Sequence, residues 1–224
     1  MDLIASRKAD ELARLATAVG KDWAKSNYYD RAEEADWLQP FWGEQSPFLR
    51  FFKELDLTCV LELACGHGRH SEQLRGKAQS IVLVDINEAN IAFCRKRFSG
   101  LEEFRFVLTN GYSFDSVQDR ECTAVFSYDA MVHFDSDVVR AYLEETARVL
   151  RPGGRALFHH SNYSQNPGGD AHDNPGWRNF MSEALFEHYA AKCGLRRLAS
   201  EVLNWGGKTA LDFLTLLERP VEFI

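Results

Sequence analysis

Strand-like and helix-like hydrophobic patterns alternate along this chain from Thr58 onward. Short apolar runs predict strands over 58–64, 80–85, 104–109, 123–128 and 155–160. Between these runs, apolar positions at helical spacing predict helices over 69–78, 88–98 and 136–150. Because the two kinds of element alternate, we predict a parallel sheet with right-handed crossover connections.

The C-terminal part adds one more helix and two more strands. A helix is predicted over 181–193, because Ser182 stands near its start and Gly194 just past its end. Strands over 196–203 and 210–217 are joined by a segment containing Gly-Gly, which is typical of a hairpin. The sequence therefore predicts an α/β fold, with a doubly wound, Rossmann-like, mostly parallel seven-stranded sheet that has a final antiparallel hairpin strand.

The N-terminal part has a helical pattern of its own. Apolar residues repeat at helical spacing from Leu12 to Val19, and Gly20 is placed to end that helix. A connector rich in aromatic residues follows, from Trp23 to Trp42. A second helical pattern then covers 48–55. Because no clear linker follows and the segment is too short for its own core, we predict that residues 1–56 form a helical appendage or lid. Residues 57–224 then form the main domain.

Composition restricts the classes of partner. The chain has 224 residues and a net charge of −7, which argues against a uniformly basic nucleic-acid surface. Its five cysteines form no CxxC pair, so a disulfide framework or a zinc ribbon is not expected. No apolar run is long enough to span a membrane, and the N-terminus does not resemble a secretory signal. We expect a cytoplasmic protein without nucleic-acid or membrane partners, and a homodimer remains open.

The most informative segment is the strand that contains Glu62 and the small-residue turn Ala64-Cys65-Gly66-His67-Gly68 that follows it. Small residues let the backbone close up at such a turn, so a ligand can lie against its N–H groups and the next helix. Asp85 supplies a second acid, at the end of the next apolar run. Two acids beside a glycine turn indicate a nucleoside that carries hydroxyls and a positive charge.

These residues resemble the class I S-adenosylmethionine-dependent methyltransferases. The resemblance rests on three motifs, which occur in the family's order: 62–68, Leu83-Val84-Asp85-Ile86-Asn87 and 148–156 (Arg-Val-Leu-Arg-Pro-Gly-Gly-Arg-Ala). In the first motif, Ala64 stands where the family more usually has a glycine. It covers roughly residues 56–218. A nicotinamide dinucleotide site is disfavoured, because Ser71 stands where G-x-G-x-x-G requires its third glycine.

The resemblance implies S-adenosylmethionine as cofactor and assigns its contacts. Asp85 would accept hydrogen bonds from both ribose hydroxyls. Glu62 would support the loop or meet the methionine amino group, and Ile86 would pack on the adenine. The cofactor would approach the backbone closely at Ala64, Gly66 and Gly68. The edge of its adenine would be contacted by Asn110, Gly111 and Tyr112.

Aromatic and acidic residues border the methionine end in the same resemblance. Tyr128 and Asp129 end a strand beside the methionine group and the substrate. One of Tyr28, Tyr29, Trp37 and Trp42 would close over the sulfonium, where cation–π attraction favours an aromatic face. Core packing of the appendage is the alternative role for any one of them.

Oxygen methylation needs a base, and histidine suits that role near neutral pH. His159 and His160 are adjacent on a strand and therefore point to opposite faces. We favour His160 as the base, keep His133 as the alternative, and place Asp129 beside them. No metal is expected, since no ligand cluster at metal spacing is visible.

Residues 161–179 are rich in Gly, Pro and hydrogen-bonding side chains, as in a functional lid or a disordered segment. Such a lid predicts a polar small-molecule acceptor. The sequence thus predicts a methyltransferase that acts on a sugar-like or natural-product hydroxyl. N-methylation of a small amine, or cofactor binding without transfer, are the alternatives.

Overall fold

A seven-stranded sheet forms the centre of the molecule, in the order β3-β2-β1-β4-β5-β7-β6. This computed structural model describes residues 3–24 and 28–221. Residues 1–2 and 25–27 of the predicted appendage (1–56), and residues 222–224 of the predicted main domain (57–224), lie outside the described residues. β1 to β5 pair with one another in parallel, whereas β7 is antiparallel to both β5 and β6. The strands are β1 Val60–Leu63, β2 Ile81–Asp85, β3 Phe104–Leu108, β4 Cys122–Ser127, β5 Leu150–Ser161, β6 Arg196–Trp205 and β7 Lys208–Glu218.

Helices cover both faces of the sheet. They are α1 Leu3–Ala24, α2 Tyr28–Arg31, α3 Ala35–Trp42, α4 Pro47–Phe52, α5 Arg69–Glu72, α6 Glu88–Arg97, α7 Ser136–Val149 and α8 Glu183–Lys192. One apolar layer joins the sheet to α1, α7 and α8, and a second joins it to α3, α4 and α6. The predicted doubly wound fold, its antiparallel hairpin strand and its N-terminal helix are confirmed.

The prediction that Gly20 ends the first helix is wrong, because α1 continues to Ala24. Gly20 is buried, and a Cβ there would lie 2.8 Å from Ile86 Cγ2. The missing side chain therefore brings α1 against the end of β2. This contact places the N-terminal helix beside the carboxyl edge of the sheet.

Two other predicted boundaries differ from the structure. α5 ends at Glu72, and turns replace the rest of the predicted helix 69–78. β7 is the last strand in the chain, but it lies between β5 and β6 and leaves β6 at the sheet edge. Within the described residues, no helix is long and apolar enough to cross a membrane.

Candidate active site

A pocket of about 960 Å³, part of it open to solvent, lies at the carboxyl edge of β1, β2 and β4, beneath α1 and α2. Parallel strands present their carboxyl ends at one edge, so residues far apart in sequence meet there. The predicted site residues that line this pocket are Tyr29, Ala64, Gly66, Asp85, Ile86, Gly111, Tyr128, Asp129 and His133.

Asp85, the last residue of β2, is held by backbone N–H groups on both sides. Its Oδ2 accepts from Gly66 N at 2.9 Å and its Oδ1 accepts from Asn87 N at 2.8 Å. Burial raises the pKa of this carboxyl, and the two backbone donors oppose that rise. The Asn90 side chain and the backbone N–H of Ile86 lower the same pKa, so this carboxyl is surrounded by donors.

The turn after β1 lets neighbouring elements approach its backbone closely. Gly66 has φ +53°, and a Cβ at this position would lie 2.5 Å from the Tyr29 ring. The loop after β3 is approached in the same way. Gly111 in that loop has φ +95°, and a Cβ added there would lie 2.5 Å from the Cβ of Ala16. Ala64 itself occupies positive φ, at +57°, where glycine is more usual. α2 therefore packs directly on the turn after β1, and α1 packs on the loop after β3.

Glu62 is buried behind the turn and does not line the pocket. Its carboxyl accepts a hydrogen bond from the Ser71 hydroxyl, which ties β1 to the end of α5. Burial raises the pKa of Glu62 to about 7. The residue is therefore placed to support the loop.

We expect Glu62→Gln to flatten the pH dependence of stability. The folded state holds this proton more tightly than the unfolded chain, whose pKa is near 4.5. The stabilising contribution is complete below that value and is lost as the pH rises through about 7, by up to about 3 kcal/mol. Urea unfolding at about pH 4 and about pH 8 measures it. Glu144→Gln, at an exposed site, should leave the wild-type slope unchanged.

Four predicted cofactor contacts lie elsewhere. Gly68 caps α5, and a Cβ there would meet the Phe98 ring at 2.7 Å. Asn110 closes its own turn by accepting from the backbone of Tyr112 at 3.0 Å, and neither residue lines the pocket. Trp42 donates to His70 Nδ1 at 3.0 Å and packs on α4. For Trp42, core packing is thus the role that the structure shows.

At the other end of the pocket, Asp129 follows β4 with φ +59°. Its carboxylate accepts from the Tyr28 hydroxyl and from Arg69 Nη2, the latter at 3.2 Å. The Arg69 guanidinium is buried between the rings of Tyr28 and Phe41, 5.1 and 4.8 Å from their centroids. Charge and hydrogen-bonding capacity are therefore concentrated where α2 meets the sheet.

His133 lines the same pocket from the short turn after β4. Its Nδ1 lies 2.9 Å from the carbonyl oxygen of Trp177, and a carbonyl only accepts, so Nδ1 carries the proton. Nε2 is then unprotonated and able to accept. Burial lowers the pKa of His133 to about 4, which keeps the ring neutral at physiological pH.

The favoured base, His160, is outside the pocket, which corrects the prediction. Its ring is fully buried on the opposite face of β5 from His159, stacked on Phe186 at 3.7 Å. Its Nδ1 lies 3.0 Å from Ser161 O, and its Nε2 lies 2.9 Å from Thr215 Oγ1. Both nitrogens are engaged in the core, so His160 has no access to an acceptor.

The predicted lid, residues 161–179, also contributes no lining residue to the pocket. Its polar side chains bond within the fold. Asn174 donates to Arg178 O at 2.8 Å, and Asn162 donates to Ala210 O at 2.9 Å. The inference from this loop to a polar acceptor pocket is therefore unsupported.

Several lining residues were not proposed as site residues from the sequence, among them Gly20, Trp23 and Arg69. Arg69 directly follows the glycine turn, and this position in the sequence could have indicated that its side chain lies near the ligand. Trp23 belongs to the aromatic connector, whose members could not be ranked without the fold. Within the described residues, no group of three or more His, Cys, Asp or Glu is arranged to hold a metal.

Comparison with known proteins agrees with this geometry. Residues 60–154 match a family model described as a methyltransferase domain. The phthiotriol/phenolphthiotriol dimycocerosates methyltransferase of Mycobacterium tuberculosis is 36% identical over 103 residues, which are 42% of this chain and 34% of that protein. The fatty-acid O-methyltransferase of Mycolicibacterium smegmatis is 30% identical over 136 residues, 56% of this chain and 42% of that protein. The chain thus spans less than half the length of these curated relatives.

A solved structure shows the same fold. The geranyl diphosphate C-methyltransferase of Streptomyces coelicolor A3(2), in complex with Mg²⁺, geranyl diphosphate and S-adenosyl-L-homocysteine, superposes with a TM-score of 0.62. It is 15% identical, over 76% of this chain and 77% of that one. Residues 60–154 therefore resemble a methyltransferase domain, and the chain shares the fold of this solved methyltransferase.

Proposed function

We propose that this protein transfers the methyl group of S-adenosylmethionine to a hydroxyl of a small molecule, with His133 as general base. One observation supports this proposal above the others. Asp85, a buried carboxyl at the end of β2, and His133, with an unprotonated Nε2, line one pocket.

The residues present fit the cofactor. Asp85 lines the pocket, and its two carboxyl oxygens, which only accept when ionised, suit a pair of ribose hydroxyls. The small residues of the turn leave their backbone open to close approach, and Ile86 offers an apolar surface beside Gly111. Tyr29 covers the turn with an aromatic ring, which suits a cationic ligand.

The bound cofactor would supply an activated methyl group, displaced in line at carbon. The chain must then orient the acceptor, exclude water and remove a proton. His133 Nε2 would take the hydroxyl proton, since Trp177 fixes the ring tautomer. Asp129 and Arg69, held together at 3.2 Å, would orient the acceptor beside it.

The lining of the acceptor end favours a molecule with an apolar body. Trp23, Tyr28 and Phe134 present aromatic surface there, whereas the polar loop 161–179 is engaged elsewhere. Two curated relatives are named for the methylation of phthiotriol or phenolphthiotriol dimycocerosates and of a fatty acid. We therefore propose a largely apolar acceptor with one oxygen nucleophile, in place of the sugar-like molecule expected from the loop.

A panel of acceptors tests the proposal. The protein is incubated with S-adenosylmethionine and palmitate, a long-chain alcohol, a phenol, a methyl glycoside or a primary amine. Formation of S-adenosylhomocysteine and of the methylated product is followed by mass spectrometry. We expect transfer to the long-chain alcohol or the phenol, whose hydroxyl has a proton for the base to remove. Transfer only to palmitate, the glycoside or the amine, or cofactor binding without transfer to any probe, would contradict the proposal.

A further inference from the structure

Asp129 has an unusual backbone that the rest of the fold must hold in place. It is a non-glycine residue at φ +59°, in the left-handed region that side chains disfavour. Such a residue persists only where its surroundings determine it, at a cost of order 1–3 kcal/mol. Tyr28 and Arg69 hold its carboxylate, so a separate contact must fix its main chain.

That contact is His159. The backbone N–H of Asp129 donates to His159 Nδ1 at 3.1 Å. An amide N–H can only donate, so Nδ1 must be unprotonated and the ring proton must sit on Nε2. Nε2 lies 3.0 Å from Asp212 Oδ2 and donates to it. The tautomer of His159 is therefore fixed from both sides.

Asp212 is fixed in its turn by Arg178. Arg178 donates from Nε to Oδ1 at 2.8 Å and from Nη2 to Oδ2 at 2.5 Å, a bidentate pair. Although burial opposes ionisation, Arg178 and His159 lower the pKa of Asp212 to about 2. Asp212 and Arg178 are buried, with side chains 0% and 3% exposed. The carboxylate is thus a permanent acceptor for His159.

We propose that His159 is a positioning residue for methyl transfer, which holds the strained backbone of Asp129 through a buried relay to Asp212 and Arg178. The relay joins the end of β4 to β5, β7 and the loop 161–179. The inference rests on the proposed function, in which Asp129 and Arg69 orient the acceptor. His159 would keep both residues in the positions that this orientation requires. The inference also gives the loop 161–179 a role, because this segment supplies Arg178.

The neighbouring His160 provides a matched control. It is on the same strand and fully buried, and both of its nitrogens are bonded. Its Nδ1 faces a carbonyl, which can only accept, so His160 carries its proton on Nδ1. The two adjacent histidines should therefore be neutral and of opposite tautomer, and only His159 is linked to Asp129.

Nitrogen NMR of protein labelled at histidine tests the arrangement without any substrate. We expect a bare Nδ1 for His159 and a bare Nε2 for His160, each resonance being assigned by its loss in His159→Asn or His160→Asn. The Asp129 amide resonance should shift strongly in His159→Leu and little in His160→Leu. The proposal would be overturned if both rings had the same tautomer, or if the Asp129 amide resonance did not shift in His159→Leu.

Kinetics with the methyl-accepting probe of the panel test the consequence. His159→Leu removes the acceptor for the Asp129 N–H, and we expect kcat to fall on the order of 10- to 100-fold. His159→Asn places an oxygen where Nδ1 stood and should restore most of kcat. His160→Leu should lower the thermal midpoint to a similar degree but leave kcat within a few-fold.

The outcomes separate the two proposals. A stable His159→Leu protein with wild-type kcat, or equal losses of kcat in both leucine variants, would overturn the role of His159. Absence of transfer to every probe, with the NMR result as expected, would contradict the proposed function and leave the relay standing as a feature of the fold. Calorimetry should give S-adenosylmethionine affinities within a few-fold for all four variants, since His159 does not line the cofactor end.

Discussion

Asp85→Ala should weaken the binding of S-adenosylmethionine by about 100- to 1000-fold. A hydrogen bond to a charged group contributes roughly 1.5–3 kcal/mol, and the carboxylate can accept one from each ribose hydroxyl. The substitution also removes the acceptor for the N–H groups of Gly66 and Asn87, which loosens the turn. Isothermal calorimetry with S-adenosylmethionine and S-adenosylhomocysteine measures both affinities.

Two further variants give this experiment its controls. Asp85→Asn retains one acceptor oxygen and the shape of the side chain, so its affinity should fall between those of the wild type and the alanine variant. Asp119→Ala removes an exposed carboxylate that pairs with Arg148, away from the pocket, and should bind like the wild type. An Asp85→Ala protein that is folded and binds both nucleosides normally would refute the assignment of Asp85.

The second large effect is expected at His133. Asparagine in its place can still donate to the Trp177 carbonyl, because its amide nitrogen stands where Nδ1 stood, but it has no group at the position of Nε2. With the hydroxyl acceptor of the panel, we expect kcat to fall about 10²- to 10⁴-fold, the usual contribution of a general base. Cofactor affinity should change little, and single-turnover kinetics separate the two quantities.

The pH–rate profile identifies the base independently. Because burial keeps the pKa of His133 near 4, kcat should stay level across neutral pH and fall only as the pH drops through about 4. An exposed histidine would show that fall near pH 6.5. In His133→Asn this acidic limb should disappear, whereas His160→Asn should retain both the limb and most of kcat. A loss in His160→Asn alone would reverse the assignment.

Much of the fold followed from the sequence, for identifiable physical reasons. Parallel strands buried on both faces leave near-continuous apolar runs, such as 81–84, which stand out against helical spacing. The strand ends carry the binding residues, so the strand pattern alone assigned Asp85 and Asp129 to one edge of the sheet. The Gly-Gly turn marked the hairpin of β6 and β7, since both glycines require positive φ.

What failed depended on contacts between distant elements. Gly20 resembled a helix end, but α1 needs the absent side chain there to approach Ile86. Strand alternation correctly placed His159 and His160 on opposite faces, yet it could not show which face meets the pocket. The polar residues of 161–179 indicated a lid, because a sequence does not distinguish an amide that faces a ligand from one that bonds to the backbone.

The most direct measurement is a crystal structure of the wild-type protein with S-adenosylhomocysteine. We expect both ribose hydroxyls to lie within hydrogen-bonding distance of the Asp85 carboxylate, while its bonds from Gly66 and Asn87 persist. The sulfur should point toward the half of the pocket that contains Asp129 and His133. A nucleoside bound elsewhere, or one whose ribose makes no contact with Asp85, would contradict the account.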